Sequence, residues 1–138
     1  MKNDNEKMEV GLFTESKSKT YCSKLANTLE EKKELFNALE KCDVLLNDIV
    51  GQTIYIKDVY CEEKEFIDNE TGEAKTKYRT ILFDVDGKTY ATGSYGIFNV
   101  LNKLINIYGL PTTWTEPLKV TVAKKPIGNG KSALTFTL

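Results

Sequence analysis

Tyrosines, lysines and one arginine recur along the β-prone part of this chain. Lysine and arginine neutralise phosphate groups, and flat tyrosine rings stack on bases at roughly 1–3 kcal/mol each. The candidates on the strands are Tyr55, Lys57, Tyr78, Arg79, Lys88, Tyr90 and Lys119. These side chains are expected on the outward surface of one curved sheet. Strands also favour tyrosine for packing reasons, so composition alone does not choose between binding and packing.

Charge is segregated along the chain although its sum is small. The chain has 19 basic and 20 acidic side chains, for a net charge of −1. Residues 58–73 contain seven acids against Lys64 alone, whereas residues 87–138 contain six lysines against Glu116 alone. A segregated basic surface is a candidate polyanion site, and a solvated charged surface is the alternative. Three of these lysines flank a glycine-rich loop expected to be flexible, and they are Lys124, Lys125 and Lys131.

Few residue types for catalysis or metal binding are present. The chain has no histidine, so only carboxylate, lysine, tyrosine or cysteine mechanisms remain, and an enzyme is disfavoured. Cys22, Cys42 and Cys61 are odd in number and widely spaced, which argues against disulfides and zinc. The acids of residues 62–73 lack the spacing of a calcium-binding loop. We therefore expect reduced cysteines, no metal and no other cofactor.

Length and hydropathy indicate one soluble domain. The chain has 138 residues, no apolar run long enough for a membrane span, and no secretory signal at its N-terminus. A cytoplasmic location is therefore expected.

From Thr53 onward the pattern predicts three strands, a helix and two further strands. On the first strand, Ile54 and Ile56 should face the core, while Lys57 and Val59 face the other way. The predicted strands are Thr53–Phe66, Lys77–Val85, Lys88–Thr92, Leu118–Ala123 and Ala133–Leu138. This order is that of a mainly β, five-stranded OB-fold Greek-key barrel with a helix between strands 3 and 4, an architecture that binds oligonucleotides or oligosaccharides.

The helices are marked by their caps. Ser94 is expected to cap the barrel helix, and Gly109 to end it. Residues 1–50 are predicted to form an N-terminal extension packed on the barrel of residues 51–138. The extension holds a helix over Asn27–Cys42, and residues 9–14 could add an edge strand. The apolar face predicted for that helix comprises Leu29, Leu35, Phe36, Leu39 and Cys42.

Several short segments, in order, resemble the single-stranded DNA-binding proteins of bacteriophages and related mobile elements of Gram-positive bacteria. The similarity covers roughly residues 34–138, so the first 25 or so residues would lie outside it. The matching segments are Leu46–Gly51, Ile54–Tyr60, Glu70–Glu73, Tyr78–Phe83, Asp86–Thr92, Ser94–Phe98 and Glu116–Val120.

The resemblance implies an OB-fold protein that coats single-stranded DNA during replication or recombination, with replication or recombination proteins as further partners. DNA would cross strands one to three, with Tyr55, Tyr78 and Tyr90 stacking on bases, and the acidic hairpin tip would project away from the phosphates. A second hypothesis is a protein-interaction module that uses the acidic hairpin and the N-terminal helix without binding DNA. A small carboxylate-dependent hydrolase ranks third. The sequence leaves the oligomeric state open.

Overall fold

The computed structural model describes residues 18–138 and shows a mainly β chain. The strands are β1 Ser18–Cys22, β2 Val44–Leu45, β3 Thr53–Ile67, β4 Ala74–Asp84, β5 Thr89–Thr92, β6 Leu118–Gly128 and β7 Lys131–Thr137. The α-helices are α1 Leu29–Glu40 and α2 Tyr95–Tyr108, and 3-10 helices span Leu46–Ile49 and Pro111–Thr113. The edge strand predicted for residues 9–14 lies outside the described residues.

The seven strands form one curled sheet with the path β2-β5-β4-β3-β6-β7. β3 is central, because β4 pairs along one edge while β6 and then β1 share the other. Within residues 18–138, no strand pairing joins β5 to β7, and α2 packs against β7 and β4. The result is an open half-barrel, compatible with an OB-like fold. It has two strands more than the five predicted, because β1 and β2 of the N-terminal extension join the sheet.

A β-bulge reverses the alternation of β3. Ile54 and Ile56 are buried, and the register against β4 then shifts between Ile56 and Asp58. A bulge adds one residue to one strand, so the residues beyond it change face. Val59 is consequently fully buried in the main core. The prediction that Val59 faces outward with Lys57 is wrong for this reason.

The sheet has apolar contacts on both faces. The concave face holds the main core, to which Val59 and Leu82 belong, and three buried residues of α2 complete it: Ile97, Leu101 and Leu104. Residues 81 and 83 of β4 point to the convex face, where they form a second cluster with Ala38 of α1.

The three cysteines are free thiols, and burial raises the pKa of Cys61 to about 11.

The N-cap of helix α1 is Thr28, one residue after Asn27, where the helix was predicted to begin. Thr28 and Glu31 form a capping box, in which the backbone N–H of Glu31 donates to the Thr28 hydroxyl at 3.1 Å. Of the predicted apolar face, Leu35 and Leu39 pack against the second cluster, whereas Leu29 and Phe36 are exposed. The prediction that Leu29 and Phe36 are buried was wrong, because only the side of the helix that carries residues 35, 38 and 39 packs against β4. The division of the chain at residue 50 stays a prediction.

Helix α2 approaches β7 closely through Gly96. A Cβ atom at Gly96 would collide with the backbone carbonyl oxygen of Leu134 and approach Ala133. We expect Gly96→Ala to lower the free energy of unfolding by about 1–3 kcal/mol, because overpacking outweighs the better helix propensity of alanine. Urea unfolding measures this, with Asn102→Ala on the exposed side of the same helix as the control. A Gly96→Ala variant as stable as the Asn102→Ala control would show that the approach is not close.

The β3–β4 hairpin extends beyond the rest of the sheet as an arm, defined here as residues 60–79 with β1 alongside. The arm contains six acids and five bases. Four of these bases, the lysines of β4 and β1 and Arg79, lie on strands that pair with β3, which carries three of the six acids. At its tip, the Lys75 ammonium lies 2.7 Å from the Asp68 carboxylate. The prediction of an acidic hairpin considered only residues 58–73, and it did not include the basic residues on the strands that pair with them.

Candidate nucleic-acid interface

Three aromatic rings meet where α2 begins beside β4. The ring centroid of Tyr78, on the concave face, lies 5.0 Å from that of Tyr95 and 4.7 Å from that of Phe98. Tyr95 and Phe98 stand one helical turn apart, with centroids 6.5 Å apart and ring planes 25° from parallel. These separations are typical of attractive aromatic pairs. Because Tyr95 is 57% exposed, the cluster keeps one ring open to solvent.

A cleft of about 670 Å³ runs from Tyr95 between α2 and the β6–β7 hairpin, and we call it the α2 cleft. Lys103 of α2 and Lys125 of β6 line it, together with the Asn99 amide. Hydroxyl groups of Thr92, Ser94 and Ser132 also line it, and Ile127 adds an exposed apolar side chain. The α2 cleft therefore combines a ring, two cations and neutral hydrogen-bonding groups.

No carboxylate lines the α2 cleft. Four other clefts in the described part of the chain each include at least one Asp or Glu side chain. The largest acidic set surrounds Lys57, where a cleft of about 570 Å³ contains five carboxylates. Because like charges repel, a phosphate backbone is accommodated better in the α2 cleft than in those four.

The lysines predicted in a flexible loop lie on or beside a paired hairpin instead. β6 and β7 pair from Thr121 opposite Thr137 to Gly128 opposite Lys131, with one register shift between Pro126 and Gly128. Asn129 and Gly130 form the turn with φ values of 55° and 72°, the left-handed conformation that a type I′ hairpin turn requires. The Asn-Gly pair in the sequence could have predicted this turn. Since neighbours on a strand point to opposite faces, Lys125 lines the α2 cleft and Lys124 projects from the other face.

A second group of predicted residues lies on another surface. Tyr55 is 45% exposed and stands directly opposite Lys119 on β6. Lys57 is exposed at the bulge, but Asp58 lies beside it in two clefts that contain other carboxylates as well. The alternation on β3 is thus as predicted up to the bulge, but this group does not line the α2 cleft.

Of three other predicted residues, Tyr90 and Arg79 are placed differently from the prediction, and Lys88 is exposed as predicted. Tyr90 is only 7% exposed, and its hydroxyl donates a 2.8 Å hydrogen bond to Asp84, so its ring is not available for stacking. Burial and that hydrogen bond raise the pKa of Tyr90 to about 12. Lys88 is exposed, with its ammonium 5.9 Å from the Tyr90 ring centroid. Arg79 points to the convex face, where its guanidinium donates to the carbonyl oxygen of Leu39.

A family model described as phage single-stranded DNA-binding protein matches residues 14–138. The chain belongs to that family. No curated protein and no solved structure matches the chain significantly. The resemblance drawn from the sequence is therefore confirmed for the phage family, whose name gives single-stranded DNA as the partner.

Membership of the phage family also corrects the extent of the resemblance. The match begins at residue 14, so β1, α1 and β2 lie within the matched region, and the region outside the match is shorter than the 25 residues predicted. No helix within residues 18–138 is long and apolar enough to cross a membrane. In the same residues, no group of three His, Cys, Asp or Glu side chains could hold a metal ion.

Sequence reasoning missed three residues of α2 that line the cleft, Tyr95, Asn99 and Lys103, and it missed Phe98, which packs beside Tyr95. The sequence predicted this helix only as an element between strands 3 and 4, and predicted no DNA-binding residue on it. Tyr95 directly follows the Ser94 cap, whose hydroxyl accepts from the Ile97 N–H at 3.4 Å. The sequence did contain an indication of this site, because an aromatic residue stands in the first turn of the predicted helix and Lys103 follows two turns later.

Proposed function

We propose that this phage-family protein binds single-stranded DNA in the α2 cleft. The observation that carries the proposal is the lining of that cleft, which includes Lys103, Lys125 and the exposed Tyr95 but no carboxylate. Cations for phosphates and a ring for bases are the two elements that nonspecific single-strand binding needs.

In the proposed complex, a base stacks on Tyr95, which Tyr78 and Phe98 support from behind. Phosphates on either side of that base contact Lys103 and Lys125. The Asn99 amide and the nearby hydroxyls can bond to any base edge, which favours sequence-tolerant binding. Every base has a flat face, so stacking adds to this tolerance. Such binding suits a protein that coats DNA stoichiometrically and catalyses no reaction.

The wider role follows from these properties. We propose that the protein coats single strands during phage or mobile-element replication or recombination, in the cytoplasm of the host cell. Strands β3 to β7 would correspond to the five strands of an OB fold that is open between β5 and β7. The Tyr55 and Lys119 surface, with Lys57, and the exposed Lys88, Lys124 and Lys131 would attract further phosphates outside the cleft.

We expect the protein to bind oligo-dT with an affinity that falls steeply as salt rises. Single-strand binding has a slope of log K against log salt near −0.7 per phosphate contacted, so the two cleft lysines alone predict about −1.4. Fluorescence of tyrosine and Trp114 during titration measures both affinity and slope. Absence of binding at low ionic strength would contradict the proposal and favour a protein-interaction module, for which the exposed Leu29 and Phe36 of α1 offer a surface.

A further inference from the structure

The convex face of the arm carries a patch of cations. Residues paired across antiparallel strands share a face, and Glu62 pairs with Arg79, Lys64 with Lys77, and Phe66 with Lys75. Since Arg79 lies beside α1 on the convex side, all three pairs belong to that side. The acids Glu63 and Glu65 point to the opposite face, where Lys19 stands across from Glu63.

Lys64 and Lys77 stand directly opposite each other at the centre of this patch. Like charges in that position destabilise a strand pair. Within residues 18–138, neither lysine forms an ion pair, whereas Lys75 is paired with Asp68. The Lys77 ammonium lies 4.9 Å from the Phe66 ring centroid, an arrangement that holds the cation over the sheet. An anion bridging the two ammonium groups would remove their repulsion.

The edge of β4 connects this patch to the aromatic cluster. β5 pairs only with residues 80–83 of β4, so residues 74–79 have no strand neighbour on that edge in the described part of the chain. At this edge, Tyr78 points to the concave face and its neighbour Lys77 to the convex face. A strand leaving the aromatic cluster can therefore turn around the edge of β4 onto the lysines.

We propose that Lys64 and Lys77 form a second contact for the phosphates of the same single strand, which we call the arm site. This inference rests on the proposed function of the α2 cleft. Short oligonucleotides would occupy the cleft alone, and longer ones would continue over the edge of β4 to the arm site. Glu62 faces the same side but stands opposite Arg79, so it leaves the central lysine pair to the phosphates.

The test compares the Lys64→Gln/Lys77→Gln variant with wild type on two lengths of oligo-dT. OB folds occupy roughly 4–16 nucleotides, so oligomers of about 5 and about 16 nucleotides separate the cleft from the full path. We expect unchanged affinity for the short oligomer. For the long oligomer, the slope of log K against log salt should become shallower by about 1.4. The ratio of wild-type to variant affinity should therefore be about 25 times larger at 0.1 M salt than at 1 M salt.

The matched control is Lys32→Gln/Lys33→Gln, which makes the same charge change on the exposed surface of α1. A second readout is stability, because removing the lysine repulsion should leave the melting temperature of the arm variant unchanged or raise it. Equal losses for both oligomers, or a loss no larger than in the control, would overturn the arm site while the cleft stands. Failure of wild type to bind either oligomer would overturn both proposals.

Discussion

Replacing Tyr95 by alanine is expected to weaken binding of short oligo-dT by about 5- to 140-fold. Tyr95 is the exposed ring of the aromatic cluster, and stacking of one base on such a ring contributes about 1–3 kcal/mol. Every 1.4 kcal/mol corresponds to a factor of ten in affinity. Titration at fixed salt measures the loss, and the salt slope should stay as in wild type because no cation is removed.

Two other tyrosines make this experiment specific. Tyr108 lies at the far end of α2, is 51% exposed and does not line the α2 cleft, so Tyr108→Ala should bind as wild type does. Tyr55→Ala tests a tyrosine that the sequence predicted to stack on bases but that lies outside the α2 cleft, and its effect on a short oligomer should also be small. Strong loss in Tyr55→Ala with none in Tyr95→Ala would move the site to the face of Tyr55 and Lys119.

The charges of the cleft are a separate component of the same site. In a Lys103→Gln/Lys125→Gln variant the stacking ring remains, so the expected signature is a shallower salt slope. A variant that lost affinity with an unchanged slope would show that the two lysines do not contact phosphates. The two contributions can thus be distinguished. Loss of the ring lowers the affinity at fixed salt without changing the salt slope, whereas loss of the two lysines makes the slope shallower.

The sequence predicted the order of strands and α2 well because alternation and capping are local. The prediction of which side chains are buried was wrong where one extra residue in a strand shifts its register against the neighbouring strand. The bulge before Asp58 moves Val59 from the predicted outer face into the core, and no residue type in that stretch announces a bulge. The Asn129-Gly130 turn was readable from its residue types, but the surrounding lysines were interpreted as a loop.

Charge was the property least accessible from the order of residues alone. Residues 58–73 are acidic as a segment, yet β4 brings Lys75, Lys77 and Arg79 against them, and alternation then sorts both signs onto two faces. Only strand register shows that Lys64 faces Lys77. The predicted site residues consequently divide among the cleft, the outer face of β3 and β6, the convex face of the arm and the core.

The core position of Tyr90 gives the largest expected effect on stability. Tyr90→Ala should lower the free energy of unfolding by about 3–5 kcal/mol, because it removes a buried ring from the main core. Tyr90→Phe keeps the ring and loses the hydrogen bond to Asp84, which should cost about 1–3 kcal/mol. Urea unfolding measures both changes. The folded pKa of about 12 lies above the ordinary tyrosine pKa of 10.0, so this part of the stability is present below pH 10 and is lost as pH rises through 12.

Tyr90→Leu distinguishes the core role from the predicted stacking role. Leucine keeps much of the buried apolar volume but has no aromatic face, so the folded variant should bind oligo-dT within about twofold of wild type if Tyr90 only packs the core. Binding is measured below the melting temperature of the variant, where nearly all molecules are folded. A tenfold loss in the folded variant would mean that the Tyr90 ring becomes exposed when DNA binds. The same loss in Tyr90→Phe would instead implicate the hydroxyl and Asp84.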